Sequence, residues 1–296
     1  MNIIKWLQDN CINLTGKRVI LTGATGGIGK ELVYYLSKLG ADITICARNI
    51  KLAHELQSDL LNKYRCSIDI IPLDLNDMTS VTSAINTIKK YNGIDVLIMN
   101  AGVYNVPLER LDTGYNNVFQ TNFVSPYYMI KDLLPELRKK ASSTVVAVSS
   151  IAHNYAKINP YDIDFSNNKK PSEVYGNSKR FLTFALYELF KNEPKIKLSI
   201  VHPGITLTNM TNHYPKAINW LVKIGIKLLF PSPRYASLNI IKGLSTPTAY
   251  HEWIGPKIFN IWGRPHKKKL KTCNTTESEK IFTIAEDIYE KISHID

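Results

Sequence analysis

The pair of residues with the most evident chemistry is Tyr175 and Lys179, four apart in "YGNSK". On a helix, residues at i and i+4 share a face. A phenol with its ordinary pKa of about 10 is a poor proton donor or acceptor near neutrality. An ammonium held beside it favours the phenolate and lowers that pKa. The same ammonium can hold the hydroxyls of a bound ribose. Taken alone, the spacing also fits an ordinary amphipathic helix. A second chemical feature is the glycine-rich stretch "TGATGGIG", Thr22 to Gly29. It reads in two registers, one with Gly23, Gly27 and Gly29 as its key glycines and one with Gly23, Gly26 and Gly29. Thr25 and Ile28 lie inside the same turn. Glycine lets the backbone bend tightly and approach a pyrophosphate with no Cβ in the way, and the helix that follows offers free N–H groups and a positive dipole end.

These residues need elements to position them. Short apolar runs are predicted as strands at 18–22, 42–47, 67–73, 95–100, 144–149 and 197–202, with a final strand at 255–261. Between them "GKELVYYLSKLG", "NIKLAHELQSDLLNKY" and "MTSVTSAINTIKKY" carry helical periodicity. In the first, Leu32, Leu36 and Leu39 share one face and Gly40 ends the run. Nearly continuous β-branched strands alternating with amphipathic helices predict a parallel sheet covered on both faces. The fold class is therefore α/β, a doubly wound Rossmann architecture, in one domain spanning 1–296. Near the end, "TTESEKIFTIAEDIYEKI" predicts an amphipathic helix with Thr276 as cap and Glu279 three residues on.

On such a sheet ligands gather at the C-terminal ends of the strands. There the sequence places Arg48 after the second strand, Asp74 and Leu75 after the third, and Asn100, Ala101 and Gly102 after the fourth. Ser149 and Ser150 follow the fifth, and Pro203, Gly204 and Thr208 follow the sixth. An acidic residue at the end of the second strand would accept from a ribose 2′-OH, whereas an arginine accommodates a 2′-phosphate. Arg48 therefore favours NADP(H) over NAD(H), the alternative being a solvated surface arginine. Asp74 can accept from an adenine amino group, with the Leu75 N–H beside it, or cap the next helix.

Composition narrows the classes further. The chain has 296 residues, 44% of them hydrophobic and 21% charged, with a formal charge of +12. That balance predicts a full core and favours anionic ligands. No basic stripe interleaved with stacking aromatics points to nucleic acid. The four cysteines are scattered without a C-x-x-C pair, so no metal site or disulfide framework is expected. No apolar run approaches the length of about 20 residues needed for a membrane span. A cytoplasmic setting is expected. The basic run "RPHKKKLK" (264–271) beside "FNIWG" allows weak contact with an anionic membrane surface or a solvated tail. Within 205–250, Trp220, Leu221, Ile224, Leu228, Leu229 and Phe230 suit either a lid over an apolar substrate or a helix packed into the core.

Taken in order, "TGATGGIG", "NAG", Asn122, Ser150, "YGNSK" and "PGITLT" make the sequence resemble the short-chain dehydrogenase/reductase family over roughly residues 15–210. The resemblance selects the register with Gly23, Gly27 and Gly29. It implies that Tyr175 is the general acid/base, that Ser150 orients the reacting oxygen, and that Lys179 lowers the tyrosine pKa and binds ribose. Asn122 in "FQTNFVSPYYM" would hold a relay water, and Thr208 would touch the nicotinamide carboxamide. Ser149 would be structural. The long link from Ser150 to Tyr175, with "SSIAH" and "DIDF", is similar to retinol-dehydrogenase-like and WW-domain-oxidoreductase-like members. It implies a hydrophobic carbonyl or alcohol substrate. A homodimer or homotetramer is plausible on the same ground. The alternatives are an extended nucleotide-sugar epimerase or dehydratase, and a non-catalytic cofactor-binding scaffold or sensor.

Overall fold

Strands and helices alternate as the periodicity requires. The computed structural model describes residues 3–294 apart from 11, 65, 169, 207–229, 271 and 273. The strands are β1 (Arg18–Thr22), β2 (Asp42–Ala47), β3 (Ile68–Pro72), β4 (Val96–Met99), β5 (Ser143–Val148), β6 (Ile196–Val201), β7 (Glu252–Ile258) and β8 (Trp262–Lys269). They form one sheet in the order β3-β2-β1-β4-β5-β6-β7-β8. Strands β1 to β7 pair in parallel, and β8 returns antiparallel to β7. The chain leaves β3 at one edge and resumes at β4, on the other side of β1. That reversal opens a crevice beyond the carboxyl ends of β1 and β4, where α/β sheets bind ligands.

The helices are α1 (Ile3–Asn10), α2 (Gly27–Lys38), α3 (Ile50–Leu61), α4 (Met78–Ile88), α5 (Asn117–Phe119), α6 (Ser125–Arg138), α7 (Pro171–Lys191), α8 (Pro233–Ser245) and α9 (Thr275–Ser293). A π-helical turn, Gln120–Val124, joins α5 to α6, and a 3₁₀ turn, Ile151–Tyr155, follows β5. Successive strand side chains point to opposite faces, and both faces are apolar. Ile20, Leu97 and Val145 pack with Phe119, Phe123 and Phe181 on one side. Val19, Leu21, Val96, Ile98 and Val146 pack with Leu32 and Leu36 of α2 and Leu238 and Ile241 of α8 on the other. This two-sided burial explains why the strands read as continuous runs rather than alternating ones.

Several expectations are corrected. The final strand starts at Glu252, not 255, and the basic run expected as a separate segment is largely strand β8. The backbone pairing of β8 with β7 overrides the polar composition of its side chains. Helix α1 was not anticipated; it buries Ile3, Trp6 and Leu7 against the α2 face. The cap of α9 is Asn274, whose side chain accepts from the Glu277 N–H at 2.9 Å, rather than Thr276. Of the expected lid stretch, α8 is a core helix with Leu238, Ile240 and Ile241 buried. Trp220, Leu221, Ile224, Leu228, Leu229 and Thr208 lie outside the described residues. Among the described residues, no helix is long and apolar enough to cross a membrane.

Candidate active site

The glycine-rich turn lies between β1 and α2, and its glycines are not equivalent. Gly23 has φ +70°, and a Cβ there would stand 2.8 Å from the Ala101 Cα. At Gly29 a Cβ would stand 2.0 Å from the Gly23 carbonyl oxygen. Gly26 caps α2 with φ −77°, and its Cβ would meet only that same oxygen, at 3.5 Å. Sterics therefore demand Gly23 and Gly29, and tolerate a side chain at Gly26. We expect Gly29→Ala to lower stability by about 3 kcal/mol, the upper end for overpacking, measured by urea denaturation. Gly26→Ala should change it far less.

Asn100 staples this turn to β4. Its Nδ2 donates to the carbonyls of Thr22 and Gly23, both at 3.1 Å. The Thr22 hydroxyl in turn accepts from the N–H groups of Asn100 and Ala101, also at 3.1 Å. The resulting cleft, of about 420 Å³, is walled by the glycine turn, Arg48, Asp74, Leu75, Ala101 and Gly102. Arg48 is exposed at the end of β2. Asp74 accepts from the Asn76 N–H at 3.0 Å, an Asx turn, while Asp77 caps α4 through the Thr79 N–H at 2.9 Å. Asp74 is thus not the helix cap. Leu75 is buried, and its carbonyl accepts from the Ser125 hydroxyl at 2.6 Å.

Beyond Gly102 the cleft meets the acid/base residues. A Cβ on Gly102 would come 3.0 Å from Asn122 Oδ1 and 3.4 Å from Lys179 Nζ, so only glycine leaves that passage open. Asn122, in the π-helical turn, accepts from the Val103 N–H at 2.8 Å. It donates to the Val103 carbonyl at 2.9 Å and to the Ser178 hydroxyl at 3.1 Å. It thereby clamps the strand-end segment onto α7. Ser149 is buried and bonded to the Thr183 hydroxyl at 2.6 Å. Ser150 opens the 3₁₀ turn, and its hydroxyl lies beside the Tyr175 phenol and pulls its pKa down. Burial outweighs that pull, so the phenol is pushed up to about 12, with Tyr104 adding to the rise. The Tyr104 ring meets that of Tyr175 edge-on at 5.2 Å.

Here the expectation for Lys179 needs correction. Its ammonium donates to the Val148 carbonyl at 2.8 Å and lies 5.8 Å from the Tyr175 ring centroid. At that separation it does not offset the burial of the phenol. Burial pushes the lysine itself down to about 8. Its folded pKa lies below the unfolded one, and charge is what folding disfavours. The cost is present in full below about pH 8 and is relieved as pH rises from there toward the ordinary lysine value of 10.5. In the cofactor-free protein we expect Lys179→Met to be more stable than the parent at pH 7. The penalty removed is on the order of 3 kcal/mol, less the lost bond to Val148. The gap should close as pH climbs above 8; a pH-independent difference in denaturation midpoint would contradict this.

Sequence reasoning missed the brace behind these groups. His153 is buried, with Nδ1 at 2.6 Å from the Ser150 carbonyl and Nε2 at 2.9 Å from the Thr272 hydroxyl. Burial pushes it down to about 4, so it is neutral at pH 7. A carbonyl only accepts, so Nδ1 carries the proton and Nε2 accepts from Thr272. Its ring stands edge-on to Trp253 at 5.3 Å. Arg180, next to Lys179, donates to the carbonyls of His153 at 3.0 Å and Thr272 at 2.7 Å. It also holds Glu277 of α9 with two bonds, at 2.9 and 2.7 Å. "SSIAH" put His153 near the serines, but no local signal linked Arg180 to Glu277. On the far side, Gly204 turns with φ +91° against Pro256 and the β7–β8 hairpin. The Pro203 carbonyl accepts from Asn239 at 3.4 Å.

The comparisons with known proteins agree with this fold. The family model described as short chain dehydrogenase matches residues 17–219. A short-chain dehydrogenase, TIC 32 B, chloroplastic, from Brassica napus is 32% identical over 87% of this chain and 80% of its own length. Retinol dehydrogenase 12 from Mus musculus is 30% identical over 71% of this chain and 68% of its own. Among solved structures, the RhlG/NADP complex of Pseudomonas aeruginosa superposes with a TM-score of 0.61 at 24% identity, covering 79% of this chain and 91% of that one. An NAD complex of a Burkholderia phymatum enzyme does so at 0.59 and 17%, covering 77% and 85%.

Proposed function

Because the chain belongs to the short-chain dehydrogenase/reductase family, whose fold binds a nicotinamide cofactor, we propose that it uses NADP(H) to interconvert a carbonyl and an alcohol on a hydrophobic small molecule. The convergence of Ser150, Tyr175, Lys179 and Asn122 on the inner end of a glycine-lined cleft supports this most directly. The cleft fits a dinucleotide: Gly23 and Gly29 let backbone come close, α2 opens toward the turn, and Gly102 leaves passage beside Lys179. Gly26, Gly27 and the first turn of α2 would hold the pyrophosphate, Arg48 a 2′-phosphate, Asp74 and Leu75 the adenine, and Lys179 and Tyr175 the nicotinamide ribose.

When bound, the nicotinamide supplies or accepts the hydride. The Tyr175 hydroxyl gives its proton to the substrate oxygen as negative charge develops there, and takes it back in the oxidative direction. The Ser150 hydroxyl donates a hydrogen bond to that same oxygen. Asn122, clamped to Val103 and Ser178, would hold a water that resupplies the proton through Lys179. The "SSIAH" link and the likeness to a retinol dehydrogenase support a lipophilic alcohol or aldehyde over a sugar. The free thiols of Cys46 and Cys66 suit a reducing, cytoplasmic compartment.

Arg48 is the residue on which the cofactor preference rests. A charge-assisted bond to a phosphate is worth about 1.5–3 kcal/mol. NADPH should therefore bind roughly 10- to 100-fold more tightly than NADH, and Arg48→Ala should close most of that gap. Equal affinities in the unmutated protein, measured by fluorescence titration, would remove the NADP(H) assignment. An NADPH-oxidation screen over aldehydes, ketones, retinoids and steroids tests the substrate class.

A further inference from the structure

The β7–β8 hairpin ends in an unusual turn. Ile258 to Ile261 is closed by the Ile261 N–H to the Ile258 carbonyl at 3.0 Å. Both central residues, Phe259 and Asn260, have positive φ, 49° and 58°. Hairpin turns of this hand take Asn or Gly at such positions, and a bulky residue there is strained. Phe259 is nevertheless 80% exposed, and its neighbour Ile258 is 50% exposed. Solvation and backbone preference both oppose a phenylalanine here, and packing within the chain gives little in return. The turn itself is well held. Lys268 Nζ donates to Asn260 Oδ1 and to the Pro256 carbonyl, both at 2.8 Å. His202 Nε2 donates to the Asn260 carbonyl at 3.1 Å.

Positive charge runs along this hairpin, with Lys257 and Arg264 beside its tip and Lys267 and Lys269 at its far end. From Glu252 to Leu270 the hairpin carries five lysines and arginines against the single carboxylate of Glu252. That carboxylate sits at the start of β7, away from the tip, and is paired with Lys267 at 3.0 Å. Lys257, Arg264, Lys267 and Lys269 are exposed. Lysines on an edge strand are accounted for by protection against edge-to-edge pairing. An exposed aromatic forced into a left-handed turn among them is not. An apolar tip flanked by the exposed cations Lys257 and Arg264, with further lysines along the same hairpin, matches an anionic bilayer, whose surface attracts the cations while its acyl boundary takes up the apolar side chains.

We infer that the β7–β8 hairpin docks this protein on an anionic phospholipid surface, with Phe259 and Ile258 inserted and Lys257 and Arg264 on the headgroups. Strand β7 runs parallel to β6, so its tip emerges at the sheet edge that carries Ser150 and Gly204. Docking turns the substrate end of the cleft toward the bilayer. The docking itself is independent of the redox reading; only its use in substrate delivery rests on that reading.

The test is sedimentation of the full chain with phosphatidylcholine vesicles, with and without phosphatidylserine. Binding should require phosphatidylserine and fall at high salt. Phe259→Asn suits the left-handed position, so it should keep the thermal midpoint and the turnover of a water-soluble substrate. It should weaken vesicle binding by about tenfold or more. Lys257→Glu with Arg264→Glu should do the same through charge. The inference is overturned by binding that ignores phosphatidylserine, by no binding at low salt, or by a Phe259→Asn variant that binds as the parent does. It is equally overturned if that variant changes the oligomeric state by sedimentation velocity and leaves vesicle binding unmoved, since the tip would then join copies of this chain.

Discussion

Tyr175→Phe is expected to lower kcat by about 10²- to 10⁴-fold while weakening NADPH binding far less, by no more than the loss of one ribose contact. The substitution keeps the ring and its edge contact with Tyr104 and removes only the hydroxyl beside Ser150. The glycine turn, Asn100 and Arg48, which form the nucleotide end of the cleft, are untouched. A loss of turnover with retained binding therefore separates proton transfer from cofactor capture. Residual activity near the parental level would remove Tyr175 as the acid/base. The pH profile gives a second readout. With the phenol pushed up to about 12, it stays protonated through the neutral range. Reduction, which needs the proton, should hold level up to alkaline pH, and oxidation, which needs the site to accept one, should climb with pH. Profiles of kcat/KM report the free enzyme, the state to which that pKa belongs.

The second large effect is expected at the Arg180–Glu277 pair. The Arg180 side chain is 3% exposed and that of Glu277 is 26% exposed. Removing one partner of a buried pair leaves an uncompensated charge, at a cost of about 3–5 kcal/mol. Glu277→Ala strands the guanidinium with only the carbonyls of His153 and Thr272, so it should sit in that range. Arg180→Met leaves a carboxylate that can rehydrate, so it should cost less. The double variant should recover part of the Glu277→Ala loss, a coupling that a double-mutant cycle reads directly. Denaturation curves of the three variants test this. Three additive changes, each within about 0.5 kcal/mol, would show that the pair does not hold α9 to α7. Because Arg180 follows Lys179 and holds the turn after Ser150, kcat should fall along with stability.

Local rules determined much of this protein in the sequence itself. Glycine sterics marked Gly23 and Gly29, where a Cβ would collide with backbone. The i, i+4 spacing put Tyr175 and Lys179 on one face of α7. Continuous apolar runs announced a sheet buried on both faces, because each such signal is carried by residues close along the chain. Tertiary structure alone decided the rest. Arg180 and Glu277 are 97 residues apart, and Thr272 meets His153 across 119. No periodicity encodes such pairs; packing of α9 and the segment before it onto α7 creates them. Strand β8 was hidden for the same reason, since its polar side chains gave no strand pattern and only pairing with β7 makes it one. The protonation of Lys179 and Tyr175 was likewise beyond the sequence. Spacing placed the two groups on one face, but burial, a property of the folded whole, moved both pKa values.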